Sequence, residues 1–227
     1  MSLRAVLFDL GGTLIDTAPP PEIIRRILRK YGIERPLDRI EAAHRKAEES
    51  FLLEDYKLPY YGFWIKWNKI ILDELKIIEN SEFLAKVLVD EWWDNADVRL
   101  YPNAREVLAK LKEMGLKVGI ISNAFRKDIE EILARINLID FFDVEVGIDS
   151  VGRPKPHREI FLYALEELGI KPSEALFVGD SLEKDYLGAL NAGLKAVLLD
   201  RNNVVEETVI KIRDLTKLLN LIKSDGC

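Results

Sequence analysis

The 227-residue chain contains no glutamine, and it has few residues that oxidise or bind soft metals: one cysteine, two methionines and two histidines. A single cysteine, Cys227, forms neither an internal disulfide nor a cysteine cluster for zinc. This usage favours a reducing compartment, and we expect a cytoplasmic protein. Scarce glutamine, methionine and cysteine beside abundant glutamate, lysine, arginine and isoleucine also indicate a thermophilic source.

The chain also lacks a surplus of positive charge and a long apolar run. Its 33 basic residues face 39 acidic ones, so we expect no nucleic acid partner. No apolar stretch approaches the ~20 residues of a membrane span, and the N-terminal run stops at glycines and an aspartate, unlike a signal peptide. We therefore expect no membrane partner either. A hydrophobic content of 48% is typical of a globular protein with a core.

Apolar runs of strand length are spaced along most of the chain. They cover residues 3–8, 117–122, 175–178 and 195–199, with weaker runs at 143–146 and 209–212. Amphipathic stretches of helical length follow them and cover residues 103–114, 127–137, 157–168, 182–191 and 214–223. Strands that alternate with helices predict an α/β fold, a Rossmann-like parallel sheet sandwiched by helices.

Residues 16–98 break this alternation. They show helical patterns only, at residues 21–31, 37–51, 61–75 and 81–93. A stretch of this length predicts a separate helical bundle, joined to the sheet through irregular hinge segments at 15–20 and 96–102. The predicted organisation is a Rossmann-like core of residues 1–15 and 99–227 with a helical domain of residues 16–98 inserted after the first strand.

Polar residues stand where the predicted strands end, which is where ligands bind in open α/β sheets. Asp9 follows the first strand, Ser122 ends the second, and Asp180 follows a later one, with Asp185 close behind. Two carboxylates at neighbouring strand ends repel each other unless a cation or a hydrogen-bond network holds them. Oxygen ligands without histidine or cysteine favour Mg²⁺. Lys155, between two prolines, supplies a positive charge for a bound anion.

The turn after the first strand also has the composition of an anion site. Gly11 and Gly12 allow a sharp turn in which backbone N–H groups face a phosphate. We expect Gly12, Thr13 and Asn123 to contact the substrate that carries this anion. The sequence is compatible with a monomer or a homodimer.

Four motifs in this order resemble the haloacid dehalogenase superfamily of aspartate-nucleophile hydrolases, in the subgroup with an α-helical cap inserted after the first strand. They are DLGGTL at 9–14, SN at 122–123, KP at 155–156 and VGDSLEKDYLGALNAG at 178–193. The resemblance covers essentially the whole chain and implies that residues 16–98 form the cap.

The resemblance also implies a role for each matching residue. Asp9 would attack phosphorus and form an aspartyl-phosphate intermediate. Asp9, Asp180 and the backbone carbonyl of Gly11 would bind Mg²⁺, and Asp185 would support the metal site. Ser122 would hydrogen-bond the phosphoryl group, and Lys155 would orient Asp9 and offset developing charge. The implied function is that of a Mg²⁺-dependent phosphatase that acts on a small phosphorylated molecule.

One position departs from the family pattern. Phosphatases of the family usually carry a second aspartate, which protonates the leaving group, where this chain has Gly11. Three explanations stay open: the substrate is an activated phosphate such as an acyl or aryl phosphate, the cap or the substrate supplies the acid, or the reaction is not phosphate hydrolysis. The alternative functions are a metal-independent 2-haloacid dehalogenase and a weakly active protein that binds a phosphorylated ligand.

Overall fold

The computed structural model describes residues 3–206 and 208–224, which form two compact units. Unit 1 comprises the chain up to Asp16 and again from Arg99 onward, and unit 2 comprises Thr17–Val98. Cys227, on which the expected reducing compartment depends, lies outside the described residues. The assignment of a catalytic core and a cap to these units stays a prediction.

The regular elements are numbered in chain order. The strands are β1 (Ala5–Phe8), β2 (Ile15–Asp16), β3 (Arg99–Leu100), β4 (Lys117–Ile121), β5 (Val144–Val146), β6 (Ala175–Gly179), β7 (Lys195–Leu199) and β8 (Lys211–Ile212). The α-helices are α1 (Pro20–Lys30), α2 (Leu37–Ser50), α3 (Tyr60–Glu74), α4 (Ser81–Asp90), α5 (Ala104–Glu113), α6 (Arg126–Arg135), α7 (Arg158–Leu168), α8 (Gly188–Asn191) and α9 (Thr216–Ser224).

Unit 1 is built on a parallel six-stranded sheet with the strand order β5-β4-β1-β6-β7-β8. Strand β1 is central, and all of its residues are buried, as are those of β6. Continuous apolar runs suit this position because a parallel sheet is covered on both faces. The predicted α/β fold class with a parallel sheet is confirmed.

The predicted helix over residues 182–191 differs in detail from the structure. Its first part, Leu182–Leu187, forms a wide helical turn of the π type, and only α8 is α-helical. The N–H groups of Asp185 and Tyr186 both donate to the carbonyl oxygen of Ser181, at 3.1 Å each. The side chain of Asp185 also accepts a hydrogen bond from the N–H of Ser181 at 2.9 Å. The wide turn thus coincides with the return of the Asp185 carboxylate toward the end of β6.

The segments predicted as irregular hinges contain a short ribbon instead. Strands β2 and β3 pair antiparallel, with Ile15 opposite Leu100 and Asp16 opposite Arg99. The ribbon continues through the N–H of Tyr101, which donates to the carbonyl of Leu14 at 2.9 Å. Two residues per strand are too few for a period-two pattern, so no sequence pattern indicates this pairing. The chain leaves unit 1 and returns to it through this ribbon.

Unit 2 contains α1–α4, close to the predicted helical stretches. Its apolar core includes Ile24, Ile27, Leu72 and Leu88, all essentially buried. At the edge of this core, the rings of Phe51 and Trp67 pack with centroids 4.8 Å apart.

Among residues 3–206 and 208–224, no helix combines the length and apolar character that a membrane span requires.

Candidate active site

The carboxyl ends of three adjacent strands carry the predicted site residues. Residues opposite each other in the register are Phe8 and Ile120 on one side and Phe8 and Val178 on the other. Asp9, Ser122 and Asp180 therefore leave β1, β4 and β6 at the same edge of the sheet. The positions at strand ends that were inferred from the sequence thus converge in unit 1.

A buried lysine connects two of the carboxylates. The Nζ atom of Lys155 lies 2.6 Å from Oδ1 of Asp9 and 2.6 Å from Oδ1 of Asp185, and its side chain is only 3% exposed. Burial alone lowers the pKa of a lysine, but the two neighbouring carboxylates outweigh burial and raise the pKa of Lys155. Lys155 is therefore a permanently charged ammonium that fixes one oxygen of each carboxylate.

The backbone of Lys155 is held by Asn123. The side-chain Nδ2 of Asn123 donates to the carbonyl of Lys155 at 3.1 Å, and its Oδ1 accepts from the N–H of Lys155 at 2.7 Å. The amide thus ties the loop of Lys155 to the end of β4. This positioning role was missed from the sequence, because the two residues are 32 positions apart and nothing local indicates the pairing. A contact between Asn123 and substrate stays a prediction.

The other oxygen of the Asp185 carboxylate binds the backbone, where Oδ2 accepts the N–H of Ser181 at 2.9 Å. The approach is possible because residue 179 is glycine: a Cβ there would lie 2.4 Å from side-chain atoms of Asp185. Asp185 is thus held by the backbone on one side and by Lys155 on the other, and its support of a metal site stays a prediction.

Asp180 lies at the exposed rim of the cluster. Its Oδ1 accepts a hydrogen bond from the hydroxyl of Thr13 at 3.2 Å. Gly12, with a φ of +76°, passes so close that a Cβ on it would lie 2.4 Å from Oδ2 of Asp180. Partial loss of hydration and the nearby Asp185 raise the pKa of Asp180.

Two hydrogen bonds bear on the predicted substrate contacts of Gly12 and Thr13, which stay predictions. The N–H of Gly12, expected to face a phosphate, donates to the carbonyl of Ile15 at 2.9 Å, so the turn itself uses this donor. The side chain of Thr13 is fully buried, and its hydroxyl binds Asp180 rather than facing an open cleft. Position 11, in contrast, is exposed, and a Cβ built on Gly11 meets no atom within 4 Å.

Ser122 is buried at the end of β4, and its Oγ accepts the N–H of Ala124 at 3.2 Å. A serine hydroxyl carries one donor besides its two acceptor positions, so this bond leaves the proton for another oxygen. Its predicted bond to a phosphoryl group is chemically compatible with this arrangement and stays a prediction.

A divalent cation fits the donor set at this edge. Carboxylate oxygens of Asp9, Asp180 and Asp185 all lie within 4.8 Å of one another. Lys155 provides one positive charge against three carboxylates, so the group keeps a surplus of negative charge. Gly12 and Gly179 have no side chains, so the carboxylates of Asp180 and Asp185 can lie against the backbone at these two positions. All three are hard oxygen donors, which suit Mg²⁺ rather than zinc.

The raised pKa of Asp9 reflects the same surplus of negative charge. Burial is the main reason that its pKa is raised to about 6, and Asp185 and Asp180 add to the shift while Lys155 opposes it. A cation beside Asp9 would favour its ionised form and lower this pKa. A bound cation would therefore widen the pH range over which this carboxylate, which the sequence suggests as the nucleophile, is ionised.

Arg201, absent from the sequence prediction, also reaches this edge. Its Nη1 donates to the carbonyl of Gly12, and its Nη2 donates to the carbonyl of Thr13 at 2.8 Å. The guanidinium lies 3.5 Å above the centre of the Tyr101 ring. Arginines in loops are common, so no local signal distinguishes this one.

A profile of haloacid dehalogenase-like hydrolases matches residues 3–193, a range that includes the three acidic residues, Lys155 and Ser122. The chain belongs to this family. The family and the hydrolase class predicted from the sequence are confirmed.

Curated relatives and solved structures agree with this family. Glyceraldehyde 3-phosphate phosphatase of Pyrococcus abyssi is 31% identical over 212 residues, which cover 86% of this chain and 80% of that protein. Pyrophosphatase PpaX of Bacillus cereus is 34% identical over 195 residues, which cover 86% of this chain and 82% of that protein. The crystal structure of a HAD phosphatase from Thermococcus onnurineus has a TM-score of 0.69 and 27% identity, covering 97% of this chain and 98% of that one.

Proposed function

We propose that this haloacid dehalogenase-like hydrolase is a Mg²⁺-dependent phosphatase that acts on a small phosphorylated molecule with Asp9 as its nucleophile. The observation that carries the proposal is the group of three acidic side chains whose oxygens lie within 4.8 Å of one another beside the buried Lys155. The curated relatives support the reaction class, since they are named as a phosphatase and a pyrophosphatase. The predicted phosphatase function agrees with them.

The chain's own residues supply most of the proposed chemistry. Lys155 holds Oδ1 of Asp9, which leaves Oδ2 as the oxygen not bound to the lysine. A carboxylate oxygen of Asp9 attacks phosphorus, the bond to the leaving group breaks, and the aspartyl phosphate forms. Water then attacks this phosphorus, releasing inorganic phosphate and restoring the carboxylate. Lys155 offsets developing negative charge, and Ser122 donates to a phosphoryl oxygen.

The carboxylates of Asp9 and Asp180 and the backbone carbonyl of Gly11 would hold Mg²⁺, with Asp185 in support. When bound, Mg²⁺ would supply positive charge against the phosphoryl oxygens. All of these residues belong to unit 1, so we assign the catalytic core to unit 1 and the cap to unit 2.

The most direct test of the proposal compares hydrolysis of an aryl phosphate with Mg²⁺ and with EDTA, at elevated temperature because of the composition. We expect turnover with Mg²⁺ only, and Asp9→Asn should lower it by ~10⁴-fold or more because the nucleophile is lost. Asp140→Asn is the matched control, since Asp140 is exposed and has a φ of +58°, which asparagine tolerates. Equal turnover in wild type and Asp9→Asn would remove Asp9 from the mechanism.

The same assay separates the alternatives. Release of halide from a 2-haloacid, at a rate that EDTA does not lower, would favour a dehalogenase. Binding of a phosphorylated compound without turnover across a broad substrate panel would favour a ligand-binding protein.

Glycine at position 11 provides no side chain that could protonate the leaving group. An acid side chain there would protonate an alkyl leaving group, and such help is typically worth about 10²–10⁴ in rate. Since a Cβ at this position meets no atom within 4 Å, Gly11→Asp should fold normally. We expect it to raise turnover of alkyl phosphates relative to aryl phosphates, measured against Gly11→Ala as the control. An unchanged ratio would argue that the leaving group does not limit the wild-type enzyme.

A further inference from the structure

Arg201 lies beyond residues 3–193, so the family match assigns it no role. It stands two residues after β7, which is separated from β1 by β6 in the sheet. Its side chain nevertheless reaches the turn that follows β1, where it donates to two consecutive carbonyls, those of Gly12 and Thr13. Planar paired donors of this kind fix the orientation of what they bind as well as its position.

The loop that carries Arg201 is itself held in place. The buried carboxylate of Asp200 accepts the N–H groups of Val204 and Val205, at 2.9 and 3.1 Å, and the ammonium of Lys211 at 3.1 Å. The N–H of Asp200 donates to the carbonyl of Ile212 at 2.9 Å. The residue before Arg201 is thereby hydrogen-bonded to β8 and to its own loop, which fixes the backbone position of the arginine.

The far end of Arg201 is also supported. Its guanidinium stacks on the ring of Tyr101 at 3.5 Å, a favourable contact between a cation and an aromatic face. The hydroxyl of Tyr101 lies 3.4 Å from Oδ1 of Asp16, on the ribbon of β2 and β3. Arg201 is thus held at its backbone by the hydrogen-bonded loop of Asp200 and at its guanidinium by the ring of Tyr101.

The turn that Arg201 holds touches the metal-binding cluster at one point. Thr13, whose carbonyl accepts from Arg201, donates its hydroxyl to Oδ1 of Asp180 at 3.2 Å. Gly12, whose carbonyl also accepts from Arg201, passes against Oδ2 of the same carboxylate. A displacement of this turn would therefore rotate or release the Asp180 carboxylate.

We propose that Arg201 is a positioning residue for the metal site, which acts through the Gly12–Thr13 turn to orient the carboxylate of Asp180. The proposal rests on the proposed function, since it requires a cation at Asp180. In this role Arg201 acts through the turn and not by contact with the reacting atoms or the cation. Residues that orient metal ligands typically contribute about 10- to 100-fold in metal affinity.

The test measures the dissociation constant of Mn²⁺ by calorimetry, with melting temperature recorded for every variant. Arg201→Met removes the donors but keeps an aliphatic chain against Tyr101, and we expect it to weaken Mn²⁺ binding by about 10-fold or more. Arg201→Lys keeps the charge without the paired geometry and should fall in between. Should Arg201→Met fail to fold, Arg201→Lys still gives a measurable constant.

The matched control is Arg105→Met. Arg105 makes the same two-carbonyl contact elsewhere in unit 1, to Ile136 at 2.6 Å and to Asn137 at 3.2 Å. We expect this variant to lose stability without any change in the Mn²⁺ constant. At saturating metal, Arg201→Met should retain the wild-type KM for substrate, because the arginine does not contact substrate.

A double-mutant cycle tests the route through Thr13. In a Thr13→Val background the hydroxyl contact with Asp180 is gone, so Arg201→Met should weaken Mn²⁺ binding by less than about threefold further. An Mn²⁺ constant within about twofold of wild type in both Arg201 variants, with melting temperatures lowered as in Arg105→Met, would overturn the inference alone. Failure of the wild-type protein to bind Mn²⁺ or Mg²⁺ would overturn the proposed function together with it.

Discussion

Two lysine–aspartate pairs, one in each unit, show what separates a site from a structural contact. Lys155 in unit 1 lies 2.6 Å from Asp9, and Lys66 in unit 2 lies 2.5 Å from Asp55. The lysine side chains are 3% and 46% exposed, respectively. The pKa of Asp9 is raised to about 6, with burial as the main cause, whereas Lys66 and the N–H of Leu52 lower the pKa of Asp55.

The difference teaches that distance alone does not make an ion pair stabilising. Asp55 accepts from Lys66, whose side chain is 46% exposed and stays partly hydrated, and from the N–H of Leu52, so the folded state favours the ionised carboxylate. Asp9 shares one ammonium with Asp185 inside the protein, and Asp180 adds a further negative charge nearby. The folded state of unit 1 therefore disfavours ionised Asp9, a cost that is expected where a cation binds.

The largest expected effect comes from exchanging each lysine for methionine. Lys155→Met leaves the buried carboxylates without their ammonium, so the free energy of unfolding should fall by about 3–5 kcal/mol and turnover by about 10²–10³-fold. Lys66→Met should change the free energy of unfolding by about 1 kcal/mol or less, because the lysine is 46% exposed. Urea unfolding and aryl phosphate turnover measure both. Comparable losses of stability in the two variants would break the comparison.

A smaller effect, opposite in sign between the units, is expected from exchanging each aspartate for asparagine. Without metal at about pH 7.5, Asp9→Asn should raise the melting temperature, since it removes a charge that the folded state disfavours. Asp55→Asn should lower it by about 2–4 °C, the shift that corresponds to a loss of about 1 kcal/mol in a protein of this size.

The contributions of Asp9 and Asp55 to stability should also depend on pH in opposite directions. The pKa of Asp9 is raised on folding, so its contribution to stability is present below its ordinary pKa and is lost as the pH rises through about 6. The pKa of Asp55 is lowered on folding, so its contribution is present at neutral pH and is lost as the pH falls. The stabilisation by Asp9→Asn should therefore vanish at about pH 4. A lower melting temperature for Asp9→Asn at about pH 7.5 would contradict the account.

The sheet and the main site residues were predictable because both depend on local patterns. Buried parallel strands are continuous apolar runs, and the residue after each run marks the edge where ligands bind. Asp9, Ser122 and Asp180 were found in this way, and Lys155 was found from its proline-flanked loop. The structure places each of them at the expected edge of the sheet.

The parts that escaped prediction depend on pairings between distant residues. Asn123 holds the backbone of Lys155, and Arg201 holds a turn 188 or more residues away, without any sequence pattern that links the partners. The hydrogen bond from the N–H of Gly12 to the carbonyl of Ile15 was not foreseen either, because a glycine turn allows several hydrogen-bond arrangements. The ribbon of β2 and β3 was too short to have a period.

The central claim is that Asp9 and Asp180, with Asp185 in support, bind one divalent cation. Calorimetric titration of the wild-type protein with Mg²⁺ tests it most directly, at about pH 7.5 and at about pH 5, with Asp180→Asn measured alongside. The account predicts one ion per chain at the higher pH, much weaker binding at the lower pH because protonated Asp9 is a poor ligand, and a large loss of affinity in Asp180→Asn. Equal affinity for Mg²⁺ in the wild type and Asp180→Asn, or no binding at either pH, would contradict it.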